Sequence, residues 1–286
     1  MAILFSQKMQ RGEKAGYVGT FMKQLKEIAN TCAEKNIKIV SNAGGLNPKS
    51  MAEDVEEMLK VMNLDLKVAY IDGDDLMPRL DELKSSGEKL NNIDTGEGFF
   101  EQNMPPLSAN AYLGCWAIKE ALDQGADIVI CPRVTDAAVV MGPAAWKYNW
   151  NKNDFDKLAG ALAAGHIIEC GAQVIEPRDG QDCIVGTLGD GWFEVDPGHP
   201  EKFCTKTRVA AHTLYENPSP HELKEPSGVL DSSNCIFEQK DARTVRVTGS
   251  RFTPADVYTV KLEGVCRAGY RSIFIAGVRD PILNSR

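Results

Sequence analysis

The segment from residue 37 to residue 62 constrains the fold of this 286-residue chain more than any other. It begins with an apolar run that ends at Val40, passes through Gly44 and Gly45, and reaches an Asn47-Pro48 pair typical of a helix start. Apolar residues then recur at helical spacing. A strand, a tight turn and a helix in this order are typical of α/β proteins, which hold ligands at the carboxyl ends of parallel strands.

Two later segments repeat this pattern. A strand predicted over residues 66–71 leads into an acidic loop and a helix over 76–85, and a strand over 128–131 leads into a helix over 137–147. Such successive units imply right-handed crossovers and a parallel sheet. The strand over 128–131 is apolar without alternation, which predicts a central position with both faces covered.

The pattern changes after Pro177. Short segments typical of strands then dominate, over residues 183–188, 192–195, 234–237, 244–247, 258–262 and 272–278. We therefore predict a Rossmann-like α/β domain over residues 1–177, carrying the glycine turn and the candidate site. A smaller, mostly β (α+β) domain is predicted over residues 178–286.

Composition limits the partners. A net charge of -8 and a pI near 5.2 argue against nucleic acid or an anionic membrane as the main partner. The eight cysteines are scattered without a C-x-x-C pair, and no apolar run reaches the roughly 20 residues that span a bilayer. We expect reduced thiols, a cytoplasmic location and, from the general prevalence of symmetric assemblies, a homo-oligomer or a partner subunit.

The glycine turn is the first candidate ligand site. Backbone N–H groups at the start of a helix favour an anion such as phosphate or carboxylate, and Asn42 and Asn47 add polar side chains beside Gly44 and Gly45. The segment lacks the lysine of a P-loop and the full G-x-G-x-x-G pattern. The alternative is a tight turn with a purely structural role.

The acidic loop after the second predicted strand carries Asp72, Asp74 and Asp75. Three carboxylates close together could hold a divalent cation or give one of them a raised pKa suited to acid–base chemistry. The alternative is that one aspartate caps the next helix and the others face water. No histidine lies near in sequence, so zinc is not expected and no metal ligand is assigned, although a divalent cation is left open.

Arg133 and Asp136 follow the most apolar strand. An arginine at that position could bind a carboxylate or a phosphate with two parallel hydrogen bonds. A structural ion pair at the start of a helix is the alternative for the two residues.

His166, Glu169 and Cys170 form the third candidate cluster. They would share one face of a helix, whereas on a strand Glu169 would point away from the other two. His166 and Glu169 could act as an oriented base with Cys170 as a nucleophile. A histidine packed in the core beside a buried cysteine is the alternative.

Five blocks of the sequence resemble the acyclic terpene utilisation protein family, AtuA. They lie in the family's order and are distributed over about half of the chain, and the closing residues 269–272 and 277–281 are similar to it as well. The blocks are residues 41–48, 73–76, 108–114, 133–137 and 165–173, the third of which contains Asn110. By the same comparison, we expect a chain shortened at both ends and lacking an internal segment after Gln173.

The resemblance implies a role in the breakdown of acyclic terpenes through acyl-CoA intermediates. We therefore expect a lyase or hydratase that acts on a branched hydroxyacyl-CoA, so that a coenzyme A thioester is the substrate and no separate cofactor is assigned. In this hypothesis Asp74 or Glu169 is the base, Arg133 binds the acid group, and Gly44 and Gly45 form the anion site. The alternatives are a non-catalytic subunit that binds an acyl-CoA or a nucleotide, and an inactive shortened member of the family.

Overall fold

A computed structural model describes residues 1–101, 104–179, 183–217 and 219–275, together with residues 277 and 279. The helices are α1 (Ala2–Arg11), α2 (Gly19–Glu34), α3 (Pro48–Val61), α4 (Leu80–Ser85), α5 (Trp116–Asp123), α6 (Ala138–Lys147), α7 (Phe155–Glu169) and α8 (Lys206–His212). Short 3₁₀ helices occur at Met77–Arg79, Phe99–Glu101 and Gly171–Val174. The helices predicted up to residue 62 and over 137–147 are present, and the one predicted over 76–85 consists of a short 3₁₀ helix followed by α4.

The strands form one parallel sheet and several small antiparallel sheets. In chain order they are β1 (Ile39–Gly45), β2 (Val68–Tyr70), β3 (Pro106–Ala111), β4 (Ile128–Pro132), β5 (Ile175–Glu176), β6 (Val185–Gly189), β7 (Trp192–Asp196), β8 (Phe203–Cys204), β9 (Glu222–Glu225), β10 (Gly228–Asp231), β11 (Ile236–Gln239), β12 (Val245–Thr248), β13 (Arg251–Pro254) and β14 (Leu262–Cys266).

The parallel sheet has the strand order β1-β4-β2, so β4 is its central strand. All five residues of β4 are buried, which confirms the prediction made from its unbroken apolar run. Ile128 and Ile130 pack with side chains of α2 and α3, whereas Val129 and Cys131 pack with those of α5 and α6. The α/β class with a parallel sheet is therefore confirmed, and the Rossmann-like arrangement stays a prediction.

Gly44 and Gly45 lie at the end of β1, where the chain packs too closely for a side chain. A Cβ on Gly44 would lie 2.5 Å from the Cys131 carbonyl oxygen and 2.8 Å from the Pro48 Cβ. Gly45 has a φ of 55° and lies against Leu4 of α1. The two glycines thus allow β1 to run beside β4 and turn directly into α3.

Gly44→Ala is expected to lower the free energy of unfolding by about 1–3 kcal/mol, because the added methyl group must displace backbone of β4. Gly19→Ala is the matched control, since a Cβ there meets nothing within 4 Å and the residue opens α2. Urea unfolding of both variants measures the difference. Equal stability of the two variants would contradict this packing role.

The small antiparallel sheets follow the parallel sheet in sequence. They have the orders β11-β12-β7-β6, β13-β10-β9, β14-β3 and β5-β8. One cluster of buried side chains includes Cys131 from the parallel sheet, Leu162 from α7 and Phe193 from β7, and so extends across residue 177. The division into domains at that residue stays a prediction.

Several local predictions were wrong. Strand β3 was not predicted, and its partner β14 lies about 150 residues later in the sequence. Residues 258–261 of the strand predicted over 258–262 form no strand. Residues 272–275 also form no strand, while Ala276 and Val278 of that prediction lie outside the described residues. Within the described residues, no helix is both long enough and apolar enough to cross a membrane.

Candidate functional site

A cavity of about 450 Å³ lies at the carboxyl end of β4, between α7, β9 and the segment before β14. Four of the predicted site residues line it, namely Arg133, Asp136, His166 and Glu169. None of the other polar residues of the lining was predicted as a site residue, although Tyr112 and Thr135 lie in two of the five blocks that resemble the family. These other polar residues are Tyr112, Thr135, Tyr215, Glu216, Lys224, Glu225, Thr259 and Lys261.

Backbone pairing fixes the wall of the cavity that carries Arg133. The N–H of Leu113 donates to the carbonyl of Arg133 at 3.1 Å, and the N–H of Thr135 donates to the carbonyl of Leu113 at 2.9 Å. The N–H of Tyr112 donates to the carbonyl of Lys261 at 2.8 Å. Tyr112, Arg133 and Lys261 therefore come together although they are far apart in sequence.

The Arg133 guanidinium is held by three contacts. Its Nη2 donates to the Tyr112 hydroxyl, its Nε lies 3.2 Å from Glu263 Oε2, and its central carbon lies 4.3 Å from the centre of the Tyr112 ring. The Lys261 Nζ lies 4.8 Å from the centre of the same ring. Two cations thus contact one aromatic side chain on one wall, and Glu263, which also accepts from the Tyr112 hydroxyl at 3.0 Å, neutralises part of their charge.

The start of α6 and the end of α7 approach each other at a glycine. A Cβ on Gly165 would lie 2.7 Å from the Cα of Ala137, so only glycine allows this contact. The neighbouring residues, His166 and Asp136, consequently both face the cavity. Their proximity follows from the residue types at 137 and 165, both of which are small.

Asp136 and His166 both have perturbed pKa values. Burial raises the pKa of the Asp136 carboxyl and the Glu169 carboxylate raises it further, while the Arg133 guanidinium opposes the shift. Burial lowers the pKa of His166, although a hydrogen bond with the Thr213 backbone and the charge of Asp136 oppose that shift. The lowered pKa keeps the His166 imidazole neutral at pH 7.

Glu225, at the end of β9, is the most strongly perturbed carboxyl in the cavity lining. Burial raises its pKa to about 8, a hydrogen bond from Thr135 Oγ1 at 2.8 Å opposes the shift, and the charge of Asp136 reinforces it. Glu225 is therefore protonated at pH 7 and can donate a proton. Sequence reasoning missed it because Glu222-Leu223-Lys224-Glu225 resembles any polar hairpin strand.

Behind His166 lies a stack of aromatic rings. The ring centres of His166 and His212 are 6.1 Å apart, and those of His212 and Tyr215 are 5.1 Å apart. The Nε2 atoms of both histidines are buried without a hydrogen-bond partner in the described part of the chain. The stack fixes the orientation of the His166 ring at the cavity wall.

Cys170 does not have the properties of an activated nucleophile. It follows the last residue of α7, and a hydrogen bond with Glu169 together with burial raises the pKa of its thiol to about 11. A nucleophilic cysteine requires a lowered pKa, because the thiolate is the reactive form. The helical alternative for residues 166–170 is otherwise confirmed as far as Glu169, and His166 and Glu169 line the same cavity.

Asp74 and Asn110 lie beneath Arg133 and do not belong to the cavity lining. Both are buried, with 4% and 2% of their surface exposed, and Asn110 Nδ2 donates to Asp74 Oδ2 at 2.9 Å. Burial raises the pKa of Asp74, and hydrogen bonds from Asn110 and from the Arg133 backbone oppose that shift. The pair is therefore placed to position the backbone of Arg133 rather than to contact a ligand in this cavity.

The glycine turn is covered by the segment that follows α1. The N–H of Leu46 donates to the Gly16 carbonyl at 2.9 Å, and that of Asn47 donates to the Gly44 carbonyl at 2.9 Å. The Asn47 side chain accepts from the N–H of Ser50 and donates to the carbonyls of Glu13 and Ala15. The N–H groups of Leu46, Asn47 and Ser50 therefore already donate to acceptors within the chain. Gly44, Gly45 and Asn47 lie outside the cavity lining.

The remaining predicted residues are on the surface. Asn42, Asp72 and Asp75 are exposed, and Asp75 Oδ1 accepts from the N–H of Met77 at 3.0 Å at the start of the following 3₁₀ helix. This hydrogen bond closes a local turn over two residues. Neither the 3₁₀ helix at Met77–Arg79 nor α4 has a side-chain cap hydrogen bond, so the predicted capping by an aspartate is not observed. Among the residues that the structure describes, no three His, Cys, Asp or Glu side chains form a group that could hold a metal ion.

The fold and the cavity together define a class of protein. It is a mixed α/β protein whose parallel sheet carries, at the end of its central strand, a cavity lined by both basic and acidic side chains.

Comparison with known proteins narrows this class to a family. The model of the family described as "Acyclic terpene utilisation family protein AtuA" matches residues 1–180, so the chain belongs to this family and the resemblance seen in the sequence is confirmed. The description indicates a catabolic role. Neither the curated proteins nor the solved structures provide a match.

Proposed function

We propose that this protein is an enzyme of acyl-CoA or carboxylic-acid catabolism that acts as a lyase or a hydratase on a branched hydroxyacyl-CoA. The observation that carries the proposal is the coexistence, in one cavity, of a protonated carboxyl, Glu225, a neutral imidazole, His166, and the guanidinium of Arg133. Neighbouring titratable groups whose pKa values are pushed apart are typical of acid–base sites.

The chemistry assigns a role to each group. Dehydration of a hydroxyacyl thioester removes the proton next to the thioester carbonyl, forms a double bond and releases the hydroxyl group as water. Arg133 and Lys261 would stabilise the negative charge that develops on the carbonyl oxygen. His166 or Asp136 would accept the proton, and Glu225 would donate one to the leaving hydroxyl.

Cleavage of a carbon–carbon bond requires the same groups in another order. The base takes the proton of the substrate hydroxyl, a new carbonyl forms, and the electrons of the broken bond pass to the thioester enolate. Glu225 then protonates the enolate carbon, so that a carbonyl compound and a shorter thioester leave. Glu169, which is exposed at the cavity, is an additional candidate for the base.

The family assignment supports a catabolic role. We further propose that the substrate is an acyl-CoA thioester, that the reaction is that of a lyase or hydratase, and that the protein is a cytoplasmic homo-oligomer. A Rossmann-like arrangement around the sheet is also part of this proposal. It is supported by the cavity at the carboxyl end of β4, the central strand of the parallel sheet. A non-catalytic subunit that binds acyl-CoA is the second candidate, favoured by the pairing of Arg133 with Glu263, which leaves less positive charge for a developing oxyanion.

The direct test is to incubate the purified protein with branched 3-hydroxyacyl-CoA thioesters and the corresponding free acids. We expect loss of one water, or cleavage into two smaller products, to be detected by mass spectrometry for at least one thioester. Calorimetric titration of the same compounds measures binding separately. Binding without any product would favour the non-catalytic subunit, and the absence of both would contradict the proposal.

A further inference from the structure

Strand β2 leaves one edge of the parallel sheet open. In the described part of the chain it pairs with β4 alone. The carbonyl of Lys67 and the N–H of Ile71 form hydrogen bonds with β4. Because the hydrogen-bonding direction alternates along a strand, the N–H and C=O groups of Val68 and Tyr70 point to the opposite side.

A groove of about 800 Å³ runs along this open edge. Every residue from 64 to 72 lines it, with Leu59 of α3 on one side and Ala117 and Ala121 of α5 on the other. A groove with a free strand edge on its floor and a helix on each side has the shape that a further strand of an α/β sheet would fill.

A segment with the character of such a strand lies exposed near the end of the described chain. Residues 270–275 form neither helix nor strand, and four of their side chains are almost fully exposed. These are Tyr270 (87%), Ile273 (81%), Phe274 (91%) and Ile275 (91%). Consecutive apolar residues are typical of a strand that is covered on both faces, and their full exposure is unfavourable in water.

Charge and length also match the segment to the groove. Residues 267–275 carry Arg267 and Arg271 and no acidic side chain. Six extended residues span roughly 20 Å, enough to run along the whole of β2. The lining of the groove carries more acidic than basic side chains, namely Glu56, Asp65, Asp72 and Glu120 against Lys60 and Lys67.

We propose that residues 270–275 of a second copy of this chain bind in the groove and pair with β2 as an added strand. Ile273 and Ile275 would then face one flanking helix and Phe274 the other, because side chains alternate along a strand. None of residues 267–275 of the same copy lines the groove, so the site is accessible to another molecule. A reciprocal exchange of segments gives a closed two-fold dimer.

The test begins with the molecular mass of the full chain in solution, measured by light scattering over a wide range of concentrations. We expect twice the monomer mass of 31.3 kDa. Phe274→Asp should weaken self-association by at least about tenfold, because a charge would enter an apolar contact at the centre of the interface. Ile3→Asp is the matched control, since Ile3 is also an exposed apolar residue, at 75%, but belongs to α1.

A second variant alters the groove instead of the segment. Tyr70→Pro removes an N–H that points away from β4 and should also yield a monomer, with circular dichroism confirming that it remains folded. The Phe274→Asp variant keeps an intact groove, and the Tyr70→Pro variant keeps an intact segment. A mixed dimer should therefore form when the two monomeric variants are combined. A monomeric wild-type chain, a dimer unaffected by Phe274→Asp, or a failure of the mixed variants to associate would each overturn the proposal.

Discussion

Arg133→Met is expected to reduce turnover by about 10²–10³-fold for any branched 3-hydroxyacyl-CoA thioester that the wild-type protein converts. This is the loss typical when one donor to a developing oxyanion is removed. The guanidinium lies against Tyr112 and beside Glu263, and it lines the same cavity as Asp136 and Glu225. Its removal takes away the fixed positive charge that would stabilise an enolate. Arg133→Lys keeps the charge but loses the planar fork, so we expect an intermediate loss. Initial rates at saturating and at limiting substrate separate the effect on kcat from that on KM.

Arg246→Met is the matched control for this experiment. Arg246 also combines an ion pair, with Glu194 Oε1 at 2.7 Å, and a contact with an aromatic ring, with its central carbon 4.2 Å from the centre of the Trp192 ring. It lies on β12, outside the cavity lining. The control should retain turnover within about twofold, since it leaves the oxyanion donors in place. Equal losses in both variants would show that Arg133 acts through folding and not through the substrate.

The parts of the fold that depend on local pattern could be predicted from the sequence. The unbroken apolar run over 128–131 predicted the buried central strand, and the Asn47-Pro48 pair predicted the start of α3. In contrast, β3 has polar residues at Ser108 and Asn110, and it is a strand because β14 pairs with it. A pattern within a short window cannot contain that distant partner.

The same distinction explains which site residues could be predicted. Arg133 and Asp136 follow a recognisable strand, and His166 lies three residues before Glu169 on one helix, so local rules place them at the sheet edge. Glu225 reaches the cavity only because the small sheet packs there and Thr135 binds its carboxylate. Its raised pKa arises from that tertiary packing and cannot be inferred from the residues next to Glu225 in the sequence.

Asp74 is a predicted site residue that lies outside the cavity lining. The acidic loop suggested a base or a cation ligand, yet the carboxylate points inward and binds Asn110 and the Arg133 backbone. A side chain that is 4% exposed cannot contact a substrate in the neighbouring cavity without rearrangement. Its effect on chemistry would therefore pass through the position of Arg133.

Glu225→Gln is expected to make the protein more stable than the wild type at alkaline pH. The carboxyl has a pKa of about 8 in the folded protein, against an ordinary value of 4.5. Between these values the folded state binds more protons than the unfolded state, so wild-type stability falls as the pH rises through that window. Glutamine retains the polar contact with Thr135 without ionising. The advantage of the variant should be on the order of 2–4 kcal/mol at pH 9 and should vanish below pH 4.5.

Thermal and urea unfolding across pH 4–9 measure this difference, and Glu222→Gln on the same strand is the control because Glu222 is exposed. Subtracting the control removes the contributions of Asp74 and of the other carboxyls that do not interact with Glu225, so the remaining difference reports Glu225 together with its coupling to Asp136. The same Glu225 variant should lose turnover at every pH, since an amide cannot donate the proton that a leaving hydroxyl or an enolate carbon requires. A pH-independent stability difference would contradict the raised pKa of Glu225, whereas full activity with the expected stability profile would remove this residue from the chemistry and leave its burial as a structural feature.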